Sequence, residues 1–160
     1  MTIREQIKLV EKSLTPWVRK NGGVLSIASD IYELCTLLQQ SPKAMRVVIM
    51  WKSQDKRGAY EEMGAVDREF WVVVSRGSGM ALKPGANLVE GVAGGRPMFD
   101  LIDELVTEIR KLSFAPATTE GTPDYRGTEP FSFEGYLTDA MKNTFTIGTQ
   151  LPAIPTGGEA

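Results

Sequence analysis

Two apolar runs constrain this chain more than any other feature. Arg46-Val47-Val48-Ile49-Met50-Trp51 and Glu69-Phe70-Trp71-Val72-Val73-Val74 are rich in β-branched and aromatic side chains and show no polar alternation. Branching at Cβ stiffens the side chain and favours extended backbone. A strand that is apolar at every position must be covered on both faces, by other elements of the chain or by a partner on one side. Both runs therefore read as central strands. Lys52 to Asp67, which joins them, is too long and too charged for a tight turn, so the pair reads as an antiparallel hairpin with a long tip.

Such strands need helices to lie on them. Ile3, Ile7, Val10, Leu14 and Val18 recur at helical spacing with Arg4, Glu5, Lys8, Glu11 and Lys12 between them. The pattern predicts an amphipathic helix opening at Thr2 as N-cap and ending near Asn21-Gly22-Gly23. Pro16 lies inside it and should kink or shorten its last turn. A short apolar stretch, Val24 to Ala28, precedes a second helix over Asp30 to Gln40, closed by Pro42. Met98, Leu101, Ile102, Leu105, Ile109 and Leu112 trace the clearest helix. Its acidic start (Asp100, Asp103, Glu104) and basic end (Arg110, Lys111) match the helix dipole.

Ser75 to Arg96 is rich in glycine and has little periodicity, so it reads as a second long loop. Ser113 to Glu129 reads as a polar connection with Pro116 and Pro123. Two strands with one buried face finish the fold. In one, Phe131, Phe133 and Gly135 alternate with Ser132 and Glu134; in the other, Phe145, Ile147 and Thr149 alternate with polar or small residues. The expectation is a single α+β domain over residues 1–150, with a flexible tail over 151–160. Its sheet is mostly antiparallel or mixed, of about four strands, packed against two to three helices with long inter-strand loops.

Composition narrows the chemistry. The chain has 160 residues, no histidine, one cysteine and a formal net charge of −2. Absence of histidine removes the Ser-His-Asp and Cys-His arrangements and the usual neutral-pH general base. It also removes most zinc sites. Cys35, among Ile31, Leu34, Leu37 and Leu38, reads as a small buried hydrophobe rather than a reactive thiol. Gly77-Ser78-Gly79 follows a strand, but position 82 is leucine and no helix opens there, so no dinucleotide fingerprint is present. Glu61 and Glu62 are adjacent and point apart on a loop. Asp100 and Glu104 would share a helix face, as a metal pair could, although a solvated, dipole-matched helix start explains them more simply. Trp51 and Trp71 sit within the apolar runs, where core packing is the plainer explanation than base stacking. No apolar stretch approaches the ~20 residues of a bilayer span, and the start of the chain carries charge within its apolar pattern; both favour a soluble protein made in a cytoplasm.

Charge is uneven. Lys43 to Arg76 holds seven basic and five acidic residues, whereas Ser113 to Ala160 holds two basic and six acidic. The polar residues of the two long loops, Lys52, Lys56, Arg57, Tyr60, Glu61, Glu62, Arg76, Lys83 and Arg96, are the candidate protein-contact residues. No catalytic, cofactor-binding or metal-binding residue is expected.

The order of elements resembles that of the tail terminator (tail completion) proteins of long-tailed bacteriophages. The resemblance rests on the opening helix Ile3 to Val18, the strand Val47 to Trp51 preceded by Ser41-Pro42, and the strand Phe70 to Val74. The helix Met98 to Leu112 and the closing strands Phe131 to Tyr136 and Phe145 to Ile147 complete it. It covers most of the chain as a pattern of elements rather than as an invariant motif, and the Gly-rich segment exceeds the plan. What it implies is a structural virion protein at the head–tail interface. Such a protein forms a homo-oligomeric, usually hexameric ring that caps the tail tube, stops its polymerisation and docks the head connector or neck proteins. No membrane and no specific nucleic-acid partner is implied, with DNA passing through the ring lumen. Alternatives are another head–tail adaptor (a connector stopper or a tube-like subunit), or a small-ligand-binding or enzymatic α+β domain that uses carboxylates.

Overall fold

A computed structural model of the chain describes residues 1–39, 45–56, 64–75, 96–112, 122–132 and 140–152. The first helix, α1 (Ile3–Lys20), is started by a capping box: Thr2 Oγ1 accepts from the Glu5 amide and the Glu5 carboxylate accepts from the Thr2 amide. It ends where Gly22, at φ +70°, donates to the Arg19 carbonyl and Gly23 donates to the Val18 carbonyl. That is a Schellman closure, and it needs a residue that tolerates left-handed backbone. Pro16 does not break the helix, which runs four residues beyond it to Lys20. Packing outweighs the local penalty here, because Trp17 and Val18 are buried and Trp17 Nε1 donates to Glu104 across the fold.

The short apolar stretch becomes a strand, β1 (Val24–Ala28). After it Asp30 caps α2 (Ile31–Gln39) by accepting from the Glu33 amide at 2.8 Å. Then follow β2 (Arg46–Lys56), β3 (Ala65–Ser75), α3 (Met98–Arg110), β4 (Asp124–Pro130) and β5 (Ala140–Gln150). One five-stranded sheet has the order β1-β2-β3-β5-β4. β1 runs parallel to β2, the two linked through α2; the other three pairings are antiparallel. The architecture is α+β with a mixed, open sheet.

Helices α1 and α3 cover one face, burying Val10, Leu14, Leu101, Leu105 and Ile109 against Val47, Ile49, Phe70, Val72, Val74, Phe145 and Ile147. Helix α2 covers part of the other face, burying Leu34, Cys35 and Leu38 against Val48, Met50 and Val73. The apolar runs are thus covered on both sides, as their lack of alternation requires. Cys35 is buried, and burial pushes its thiol pKa up.

Four expectations are corrected. Both ends of the supposed hairpin tip Lys52 to Asp67 are strand, since β2 continues to Lys56 and β3 begins at Ala65, while residues 57–63 lie outside the described residues. A register shift between Trp51 and Ser53 lets the charged end of β2 keep pairing. The polar connection Ser113 to Glu129 contains β4, whose charges, Gly127 and Pro130 suit an edge strand. Of the strand expected at Phe131 to Tyr136, Phe131 and Ser132 lie outside any strand, and the rest falls outside the described residues. Trp51 is not core. It is 37% exposed because β1 stops at Ala28, opposite Met50, leaving its flank uncovered. The Gly-rich segment and the tail beyond residue 152 also lie outside the described residues.

Candidate interaction surface

Because β1 ends opposite Met50, β2 runs on past its neighbour and forms a three-stranded arm with β3 and β5. The arm holds Lys52, Asp55 and Lys56, all exposed, beside Trp51. Its root is tied to α1 through a buried polar network. Arg68, only 6% exposed, donates to Gln54 Oε1 at 2.7 Å, to the Met1 carbonyl at 2.8 Å and to Gln6 Oε1 at 3.1 Å. Gln6 in turn donates to Thr149 Oγ1 on β5 at 2.9 Å. A buried guanidinium is tolerated only when such acceptors replace its water.

Trp71 lies on the opposite face, next to the zone covered by α2. The Lys142 ammonium sits 4.2 Å from its ring centroid and that of Lys52 5.6 Å away. Trp71 Nε1 donates to Glu69 at 3.0 Å, and Lys142 pairs with Glu129 on β4 at 2.7 Å. The tryptophan is 8% exposed, so its ring is packed and is no free stacking platform.

Of the expected contact residues, Lys52 lies at the β2 irregularity over Trp71 and Lys56 ends the arm opposite Val66. Arg96 is engaged inside the fold. It pairs with Glu104 on α3 and donates to Asn21 Oδ1 at 3.3 Å, clamping the end of α1 to the start of α3. Glu104 also accepts from Trp17, so it has a partner in the fold rather than a helix-capping role. The Arg96 hydrogen bond holds the Glu104 carboxyl below the usual range, opposed by partial burial and helped by Trp17. The structure does not bring Arg96 near the arm residues through any contact it records. Arg57, Tyr60, Glu61, Glu62, Arg76 and Lys83 lie outside the described residues.

Two shallow grooves mark the surface. One of about 350 Å³ runs between α1 and β1, lined by Glu11, Thr15, Val18, Arg19, Gly23, Val24 and Leu25. The other, about 270 Å³, lies on the outer strand, lined by Arg126, Gly127, Thr128, Glu129 and Thr144. Among the described residues no three acidic or cysteine side chains converge as a metal set. No helix among them is long and apolar enough to cross a membrane. The β1 groove was not legible beforehand; the available signal was Val24-Leu25-Ser26-Ile27-Ala28, an uncharged stretch directly after a glycine pair. No family model matches the chain, and no curated protein matches its sequence.

Proposed function

We propose that this chain is a structural assembly subunit of the tail-terminator kind, a ring-forming virion protein that caps a tail tube and receives the head connector. The reading is supported by the order of elements and, above all, by the arm. A strand pair that outruns its neighbouring strand, anchored at its root by Arg68 and bearing Trp51, Lys52, Asp55 and Lys56 outside, presents extended backbone and mixed charge to another subunit. A closed ring requires each subunit to offer two different surfaces, and an arm on one side fits that demand.

The test is the mass of the purified protein with and without tail tubes, combined with electron microscopy of labelled protein. Density confined to one tube end supports the reading. A label on the portal side or repeated along the tube reassigns it to a stopper or a tube subunit. A chain that never associates with tubes or tail ends contradicts it. Charge reversal at Lys52 and Lys56 together should leave the monomer folded and weaken tube association about tenfold.

A further inference from the structure

The β1 edge carries an interface of its own. Val24 donates to the Met45 carbonyl, and the parallel register pairs Val24 with Arg46, Ser26 with Val48 and Ala28 with Met50. In a parallel ladder alternate residues bond to the same neighbour. Val24, Ser26 and Ala28 therefore bond inward to β2, and the amides and carbonyls of Leu25 and Ile27 point outward from the sheet. The strand has no charge, proline or bulge to blunt it, and Val24 is 43% exposed.

We propose that this edge pairs with the β1 edge of a second copy of the chain, antiparallel about a two-fold axis at Ser26. That register sets Leu25 opposite Ile27 of the second copy and Ile27 opposite its Leu25, so all four outward groups of each strand find partners. It also keeps faces matched, because Leu25 and Ile27 both lean on the core beneath α1. A shift by one residue would lose part of this set.

Helix α1 carries the same symmetry independently. Glu11, Thr15 and Arg19 form one row at four-residue spacing along the groove beside β1. The tight turn at Gly22-Gly23 sends β1 back along α1, and Arg19, which precedes the turn, and Val24, which follows it, both line the groove. Two strand residues advance roughly 6.6 Å and four helical residues roughly 6 Å, so Ser26 lies abreast of Thr15. A two-fold axis at Ser26 therefore sets Glu11 against Arg19 of the second copy, and Arg19 against its Glu11. Among the described residues Glu11 has an exposed pairing with Lys8 at 3.1 Å, which is a weak competitor. The contact is isologous, so it adds to the heterologous contacts of a ring and stands or falls apart from them.

The β4 edge is a poor alternative partner, being bulged between Tyr125 and Gly127 and ending in Pro130. Sedimentation of the full chain over roughly 1–200 μM should show a monomer–dimer equilibrium in the micromolar range, as for a small interface. Glu11→Arg alone and Arg19→Glu alone should each weaken it about tenfold. The double reversal, which restores opposite charges across the axis, should return it to within about threefold. Ser26→Cys places two thiols at a non-hydrogen-bonded antiparallel pair, about 4.5 Å apart at Cα, within disulfide reach. Mild oxidation should yield a linked dimer from that variant and none from Tyr32→Cys, at an exposed position of α2. A monomer at every concentration, a double reversal that does not rescue, or equal linking at both positions would overturn the proposal.

Discussion

The two margins of the sheet are built on opposite plans. β4 carries Asp124, Arg126 and Glu129, is bulged between Tyr125 and Gly127, and ends in Pro130. Its side chains lock it to the interior, with Thr128 donating to Asn143 at 2.6 Å and Arg126 Nε donating to Thr146 at 3.1 Å. β1 has neither charge nor bulge, pairs among the described residues with β2 alone, and leaves two residues' backbone groups facing out. Proteins blunt sheet edges that must stay solitary. The contrast implies that the β4 margin is sealed by design of its sequence, while the β1 margin is reserved for a neighbour.

Each margin can be perturbed without the other. Phe145 is fully buried and stacks on Phe70 at 5.4 Å while touching Tyr125 of β4 at 5.6 Å. Phe145→Ala should cost about 4 kcal/mol in chemical denaturation, and the β4 amides should lose exchange protection while those of β1 and β2 retain theirs. Asn143, wholly buried, donates to the Val72 carbonyl at 2.9 Å and accepts from Thr128. Asn143→Ala removes two hydrogen bonds from a wholly buried position, while the Thr128 hydroxyl keeps Tyr125; it should cost about 2 kcal/mol, again loosening β4 first.

On the β1 side, a Cβ at Gly23 would meet the Met45 carbonyl at 3.0 Å and Val18 Cγ1 at 3.1 Å. Gly23→Ala should therefore cost about 1–2 kcal/mol by pushing β1 from β2, with any self-association reduced in parallel. Pro16→Ala should stabilise the chain by about 1 kcal/mol, since it restores a helix bond without touching the core; a loss of stability would mean that the proline sets the helix path. The smallest effect belongs to Glu104→Gln, about 1 °C in Tm at neutral pH, because the pair with Arg96 is solvent-screened. Glu104 has a lowered folded pKa, so its contribution is present above the ordinary carboxyl range near pH ~4.3 and is lost as pH falls through the lowered value. The variant and parent should converge in acid.

How much of this was legible in the sequence follows the strength of each periodic signal. α1 and α3 declared themselves through apolar residues at helical spacing, and β2 and β3 through runs that only a doubly covered sheet can bury. β5 was visible from Phe145 and Ile147. β1 is five residues with no alternation, and its pairing is parallel through α2, which no local pattern encodes. β4 was hidden by the features that make it a good edge: Asp-Tyr-Arg-Gly-Thr-Glu-Pro has the composition of a loop. The arm was hidden likewise, since charged residues at Lys52 to Lys56 masked a strand held by its neighbour's register. For the interaction surface, Lys52 and Lys56 could be picked from charge, but the Lys142–Trp71 stack and the placing of Glu11 and Arg19 beside β1 depend on tertiary geometry.

Residue-resolved amide exchange at several protein concentrations tests the contrast between the two margins most directly. The account predicts that the outward amides of Leu25 and Ile27 exchange fast in dilute protein and become protected as concentration rises, while protection along β4 stays constant. Protection of Leu25 and Ile27 that does not change with concentration, or a rise that appears on β4 instead, would contradict it.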